Sequence, residues 1–378
     1  MTPPPSPRIV IDGSMARGGG GFTYLVNVIP ALVRLAPDHR FLLLVHREEI
    51  LESLPDAPNL EVRRVPDTGF LGRIRQVLLD GPNLAHEWRA DLFFSVAEYA
   101  PLRGDFDVIA AFRNRAIFIP VEGGWPLKQR LRLGILRALA RATARKASRI
   151  VFVSEDSSLE IAPAIGLPES KRRVVHHGID AELWGRDRPR PTEIERYILS
   201  VGSIYRYKNY LPLMRGWAAL CERRPDTPDL VIIGDDQDAE YSAEMERARE
   251  EMGALGKRLH ILGEVPYADV PAWYQHADAF VFPSYLETFG HPLLEAMASR
   301  TPLVAADIPV FREISGEGAL YAKPESAEEF ADRLEQVLFS PETREALLRE
   351  GDRRVEAFAW TRTAERLLAL FDETLGRT

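Results

Sequence analysis

A chain of 378 residues is too long for one ordinary hydrophobic core and is expected to divide into two domains. With 56 Asp and Glu against 48 Lys and Arg its net charge is −8, which carries no global nucleic-acid signature, so no nucleic-acid partner is expected. The single cysteine, Cys221, excludes an internal disulfide and a multi-cysteine metal site.

Residues 2–7 form a short Pro-rich leader with no apolar run behind it, which does not read as a signal peptide. No apolar stretch approaches the length that spans a bilayer, and a cytoplasmic, soluble chain is expected. Arg8 to Asp12 reads as a strand, followed by Gly18-Gly19-Gly20-Gly21 and an apolar helix through Leu25, Val28, Ile29 and Leu32. Four glycines after a strand permit close backbone approach and positive φ. Phosphate binding and a flexible turn both fit that run. Short strands follow at 41–45, 92–94, 108–111 and 150–153, with helical patterns between several of them, and Val174-Val175 precedes His176-His177. Alternating strands and helices predict a parallel, doubly wound sheet.

Residues 128–149 hold eight Lys or Arg and no Asp or Glu. Arg130, Arg137, Arg141 and Arg145 share one helical face, with Leu131, Ile135, Leu136 and Leu139 roughly opposite. A solvated basic helix and a helix that docks reversibly on anionic lipid are equally consistent with this pattern. Residues 186–192 are charged, Pro-rich and without period, and read as an interdomain linker. A second series of strands is predicted at 198–201, 230–233, 259–262, 279–282 and 303–306. The expected domains are therefore 1–185 and 186–360, with an amphipathic helix in 361–378.

Three loops of the second series carry chemistry. Val201 to Asn209 joins a strand to a helix and contains Ser203, Arg206 and Lys208. Asp235-Asp236-Gln237-Asp238 reads as a solvated surface turn, although clustered Asp can bind a hard cation. Residues 283–298 leave the apolar strand 279–282 and enter a helix at Pro292, which suits the first helical turn. Such a loop sits at the carboxyl end of a strand and the amino end of a helix. There, open α/β sheets bind ligands and free amides favour a diphosphate. Glu287 and Glu295 have the wrong charge for phosphate and are suited to accept hydrogen bonds from hydroxyls. Amides for phosphate and carboxylates for hydroxyls point to a nucleotide sugar.

The stretch Glu287-Thr288-Phe289-Gly290, then Glu295-Ala296-Met297-Ala298, resembles the E-x7-E signature of the retaining glycosyltransferase family with the GT-B fold (glycosyl transferases group 1, glycosyltransferase family 4-like). Its usual form is Glu-Gly-Phe-Gly, a few apolar residues, then Glu-Ala-Met-Ala. Here Thr288 replaces Gly, and His291 stands where an apolar residue is common. The resemblance covers nearly the whole chain. It implies an α/β fold with two doubly wound Rossmann-like domains facing each other across a cleft, and a terminal segment that returns to the first domain.

The same resemblance implies roles. Glu287 contacts the donor sugar's hydroxyls, Glu295 holds the ribose, and amides around Thr288, Phe289 and Gly290 face the diphosphate. Lys208, in Lys-Asn, binds the diphosphate. The family's Arg stands where this chain has Ser203 or Tyr207, and Arg206 lies close to both. Gly19 and Gly20 match a Gly-Gly element that contacts donor phosphate or acceptor, and Tyr24 matches an aromatic residue a turn later. Val265 matches the loop that meets the nucleobase. Glu313, His176 and His177 are expected to be structural, and Arg300 replaces a Gly after the signature helix. The family's first-domain His has no counterpart in 119–125, where Arg113-Asn114 or Glu122 is left to fill the space.

The implied activity is transfer of a hexose with retention, to a glycan or lipid-linked acceptor in surface polysaccharide or glycolipid biosynthesis. GDP-mannose is the first expected donor, UDP-glucose or UDP-N-acetylglucosamine the next. No cofactor and no metal are expected. A catalytically inactive GT-B binding protein, or another GT-B enzyme such as a nucleotide-sugar epimerase, is the alternative.

Overall fold

The computed structural model describes residues 6–16, 19–118 and 127–377. It divides into two compact units, Met1–Gly178 with Phe358–Thr378, and Ile179–Ala357. The first boundary lies upstream of the Pro-rich run expected to be the linker. Helix Ala181–Gly185 precedes that run and belongs to the second unit. Its Trp184 is buried edge-on against Tyr274, with ring centroids 5.4 Å apart, and Gln275 donates to the carbonyls of Trp184 and Arg186 at 2.7 and 2.8 Å.

The first unit holds seven parallel strands: β1 (Arg8–Asp12), β2 (Arg40–Val45), β3 (Leu60–Arg64), β4 (Leu92–Ser95), β5 (Asp107–Phe112), β6 (Arg149–Phe152) and β7 (Arg172–Val174). Their order is β3-β2-β1-β4-β5-β6-β7, so the winding reverses between β1 and β4. Successive side chains of β1 point to opposite faces. Ile9 and Ile11 enter one core with Leu25 and Leu32 of helix Gly19–Leu35, while Val10 enters another with Leu133 and Leu136 of helix Leu127–Lys146. The terminal helix Trp360–Thr374 adds Leu367, Leu370 and Phe371 to the first of these cores. Such side chains each contribute about 1.5–3 kcal/mol when fully buried. Glu373 locks that helix down against Arg149 and Arg173, which hold its carboxyl down at about 2.

Two local expectations are corrected. Gly19, Gly20 and Gly21 are not a loop but the first turn of helix Gly19–Leu35; Gly18 lies outside the described residues. In helix Leu127–Lys146 the buried stripe is Leu133, Leu136, Ala140, Thr143 and Ala144. Leu131 and Ile135, expected on the apolar face, are exposed, because the 3.6-residue period through Leu133 carries them to the other side. Two of the basic residues bond backbone carbonyls: Arg137 donates to that of Ile117 at 2.7 Å and Arg141 to that of Ala164 at 3.2 Å.

The second unit holds six parallel strands: β8 (Tyr197–Val201), β9 (Asp229–Ile233), β10 (Leu259–Ile261), β11 (Ala279–Phe282), β12 (Leu303–Ala306) and β13 (Leu320–Ala322). Their order β10-β9-β8-β11-β12-β13 reverses between β8 and β11. No helix among the described residues is long and apolar enough to cross a membrane.

Candidate functional site

In the second unit the reversal point is the place where a doubly wound sheet leaves a crevice. The loops leaving β8 and β11 meet there. After β8 the chain makes a single turn of 3-10 helix, Arg206–Lys208, and passes through Asn209 with φ of 63° before helix Tyr210–Arg223. Asn tolerates this left-handed conformation better than most residues. Its side-chain amide donates to the carbonyls of Pro283 and Pro324 at 3.0 and 2.7 Å. The Tyr207 carbonyl accepts from the Tyr285 amide at 3.1 Å and from the Ser284 hydroxyl at 3.2 Å. The two loops are thus stitched into one surface.

On that surface Lys208 Nζ lies 2.6 Å from Glu287 Oε1, with the side chains only 14% and 18% exposed. The ammonium also sits 5.1 Å from the Phe282 ring centroid and 5.5 Å from that of Tyr207. An ammonium has three donors, so Lys208 can hold Glu287 and still meet a phosphate oxygen. Glu295 lies in helix His291–Ala298, where its Oε2 accepts from the Tyr274 hydroxyl at 3.1 Å. Burial pushes its carboxyl up to about 7, against the hydrogen bond from Tyr274 and the charge of Lys208.

Thr288 is half-buried and Phe289 is buried, its ring edge-on to His291 at 5.1 Å. Gly290 turns the chain into the helix with φ of 93°, a conformation that an L side chain rarely adopts. Close approach constrains Gly234, at the end of β9. A Cβ there would stand 2.0 Å from the Gly202 carbonyl oxygen, so only glycine lets the β8 and β9 loops touch.

Other expected residues are placed differently. Arg206 is not beside Lys208's partner; it forms a two-pronged pair with Glu244 at 2.7 and 2.9 Å and lies 5.1 Å from the Tyr241 ring. The hydrogen bonds it donates to Glu244 push its guanidinium pKa up. Ser203 is bonded to Asp235, and that bond is the main cause holding the Asp235 carboxyl below its ordinary value. In the acidic turn, Asp236 accepts from the Asp238 amide and the Ser242 hydroxyl, and Asp238 caps helix Ala239–Glu251. Val265 is half-buried on the loop after β10, two residues past Gly263, whose carbonyl accepts from the Gly234 amide at 2.9 Å. The Glu313 carbonyl accepts from Arg354.

In the first unit, Gly20 and Gly21 lead to Tyr24, whose ring lies tilted 5.0 Å from His177 and edge-on 5.9 Å from Trp360. His176 packs edge-on against Phe358 at 5.3 Å. Arg113 follows β5, lies 5.0 Å from the Tyr24 ring and donates to the Val96 carbonyl at 2.5 Å. The amides of Arg113 and Asn114 both donate to Glu98 Oε1, whose carboxyl is nevertheless pushed up by burial. Glu122 and 119–125 lie outside the described residues. Tyr274 and Glu98 were missed from sequence and carry no local signal there. Asn209 carried one, an Asn between a Lys and a helix.

Comparison with known proteins matches the same two halves. Residues 18–183 match the profile of Glycosyltransferase Family 4, and residues 186–354 that of Glycosyl transferases group 1. The chain is similar to the O-antigen chain mannosyltransferase RfbU of Salmonella typhimurium, 27% identical over 53% of this chain and 54% of that one. It is also similar to the D-inositol 3-phosphate glycosyltransferase of Corynebacterium glutamicum, 31% identical over 54% of this chain and 52% of that one. These matches span about half the length of those relatives. In fold it is similar to Anabaena Alr3699/HepE, solved in complex with UDP-glucose, with a TM-score of 0.74, 18% identity, and 97% and 99% of the two chains covered. The chain thus has the two Rossmann-like domains of the GT-B fold, with a segment that matches Glycosyltransferase Family 4 in its first half and one that matches Glycosyl transferases group 1 in its second.

Proposed function

We propose that this chain is a retaining hexosyltransferase that binds a nucleoside diphosphate sugar at the β8/β11 reversal point. One observation carries the reading: Lys208 and Glu287, on the loops after neighbouring strands, meet at 2.6 Å in a mostly buried surface. Breaking the bond from the anomeric carbon to the diphosphate builds positive character on the sugar and negative charge on the leaving oxygen. Lys208 stabilises that oxygen, with the amino end of helix His291–Ala298 and the amides of Thr288, Phe289 and Gly290 around it. Glu287 accepts from sugar hydroxyls and Glu295 from the ribose. Val265 meets the base. Arg206, committed to Glu244, positions the Arg206–Lys208 turn instead of touching the donor.

Transfer with retention follows from same-face attack. The acceptor oxygen bonds the anomeric carbon as the carbon–phosphate-oxygen bond breaks, and the acceptor proton passes to the departing phosphate oxygen. Lys208 and the amino end of helix His291–Ala298 fill the role a metal would have, so no metal is required. A GDP-mannose donor ranks first, in keeping with the mannosyltransferase among the relatives, and UDP-glucose ranks next, in keeping with the HepE complex. The acceptor is a glycan or lipid-linked saccharide of surface polysaccharide or glycolipid assembly.

An exposed patch in the first unit supports reversible docking on anionic lipid at the inner membrane face. Leu127 is 80% exposed and Leu131 68%, beside Ile135 and among Lys128, Arg130 and Arg132. Leu71 is also exposed, and Arg132 lies 5.5 Å from the ring of its neighbour Phe70. Apolar contact joined to basic charge is the pattern that interfacial helices use. Co-sedimentation with phosphatidylglycerol vesicles, lost on phosphatidylcholine and in Leu131→Glu, is the expected result.

The test of the reading is nucleotide release from a panel of GDP- and UDP-sugars, with chelator and with magnesium. Slow release from one nucleotide class, unchanged by chelator and lost in Glu287→Ala, is expected. Binding without release in any condition would leave a nucleotide-binding module in place of an enzyme.

A further inference from the structure

The residue that holds Glu295 comes from outside the stretch that carries it. Tyr274 lies in the short helix Val270–Gln275 and is fully buried. Its ring packs edge-on against Trp184 at 5.4 Å and tilted against Phe280 of β11 at 4.7 Å. Its carbonyl accepts from the hydroxyl of Thr301 at 2.6 Å, just past the helix that bears Glu295. Trp184 is fixed in turn, since its carbonyl accepts from Gln275 Nε2 at 2.7 Å and from the Ser299 hydroxyl at 3.3 Å. With ring and backbone both pinned, the phenol oxygen stands at a fixed point.

There it donates to Glu295 Oε2 at 3.1 Å, the one hydrogen bond that either side chain makes among the described residues. Glu295 keeps partial exposure, whereas Tyr274 has none. The tyrosine thus grips one carboxylate oxygen from the protein interior and leaves Oε1 to a ligand. A carboxylate offers about four acceptor sites, so one bond to tyrosine leaves enough for two neighbouring hydroxyls. A free Glu side chain has rotamers to lose when it engages a ligand, and ordering them weakens binding. Tyr274 orders them beforehand. As a donor it also favours the ionised carboxylate, the stronger acceptor, while burial works the other way and pushes the carboxyl up to about 7. Core packing alone does not call for the hydroxyl, because phenylalanine would fill the same space against Trp184 and Phe280. The other titratable groups near this pair are Lys208 on the loop after β8, with Glu287 bound to it, and His291, one turn earlier on the helix of Glu295. Tyr210 and Tyr267 lie near Tyr274 itself.

We propose that Tyr274 is a positioning residue of the donor site: its hydroxyl sets Glu295 to receive the paired hydroxyls of the ribose, and with them the preference for a ribonucleotide. The role of Glu295 rests on the transferase reading; the grip on its carboxylate stands on this geometry. The test is calorimetric titration of GDP and UDP, and of their 2′,3′-dideoxy counterparts, into wild type and Tyr274→Phe from about pH 5.5 to about pH 8.5. The ratio of ribose to dideoxy affinity is the readout. Both forms carry the same diphosphate, so its own titration cancels, and a general loss of packing moves both together. In the wild type the ratio is expected to favour the ribonucleotide and to fall as pH drops through about 7, where Glu295 takes up its proton. In Tyr274→Phe the ratio at about pH 8 is expected to fall about fivefold, the effect of one lost hydrogen bond, with dideoxynucleotide affinity kept within about twofold. The midpoint of its pH dependence is expected to move up, because the lost bond favoured the ionised form. Glu295→Gln is expected to flatten the ratio against pH, which separates Glu295 from His291. A ratio unchanged in Tyr274→Phe, or a pH dependence that survives Glu295→Gln, overturns the proposal and leaves the donor site. So does a wild type that binds ribose and dideoxy forms equally. A wild type that binds no nucleotide sinks the donor reading, and the positioning role with it.

Discussion

The two units put the same scaffold to different chemical use. Both are parallel sheets whose winding reverses once, between β1 and β4 in the first and between β8 and β11 in the second. In the second unit the loops at the reversal bring a lysine to a carboxylate at 2.6 Å, with Glu295 and Tyr274 alongside. In the first, the loops after β1 and β3 close over a small cavity whose buried carboxyl has no cation among the described residues. A surface that holds an ammonium beside the amino end of a helix suits a diphosphate; a hollow with two carboxyls, Asp12 and Asp80, and one paired guanidinium, Arg75, opposes one. Fold alone does not decide this, because the difference lies in a handful of loop residues.

The contrast breaks first at the core that carries the first unit. Phe371 packs 5.4 Å from Phe94 and is fully buried, so Phe371→Ala is expected to cost about 3–5 kcal/mol in urea unfolding. A cost under about 1 kcal/mol would mean that the terminal helix does not complete that core. Next comes the second unit's cation. Lys208→Ala is expected to slow nucleotide release about a hundredfold, near 3 kcal/mol, whereas Arg206→Ala changes it less than about threefold. Equal losses in the two variants would return Arg206 to the donor.

Glu295 sharpens the comparison through pH. Its folded carboxyl titrates at about 7, against 4.5 ordinarily, so the folded chain holds that proton more tightly than the unfolded chain does. Stability is therefore full below the ordinary value and falls as pH rises from 4.5 toward 7, by about 3 kcal/mol in all. Urea midpoints at about pH 5 and about pH 8 should differ in the wild type and lose that difference in Glu295→Gln. An unchanged slope in the variant would assign the effect elsewhere. The smallest effect is at Arg300, which ends helix His291–Ala298 with φ of 55°. Arg300→Gly should raise stability by about 1 kcal/mol, since its exposed contact with Asp352 is worth little.

Much of this was legible in sequence where the signal is local. The buried strands β1, β2, β4 to β6, β8, β9, β11 and β12 are short apolar runs, and the strand–loop–helix around Glu287 and Glu295 lies within one stretch of chain. Two edge strands, β3 and β13, were not legible. β3 alternates Leu60 and Val62 with charged residues, and β13 is a run of only three residues, Leu320-Tyr321-Ala322, too short to stand out. The exposed Leu131 was misread because a single helical wheel fits two stripes, and only packing chooses Leu133 over it. Partners remote in sequence were hidden altogether. Glu244, which claims Arg206, and Tyr274, which bonds Glu295, come from separate helices brought together by the fold.

The central claim is that the β8 and β11 loops hold a nucleoside diphosphate. Hydrogen exchange with and without UDP or GDP reads those loops directly. Slowed exchange confined to 202–209 and 283–291, and absent in Lys208→Ala, is the predicted result. Saturating nucleotide that leaves both segments unprotected, or protects them equally in the variant, would contradict it.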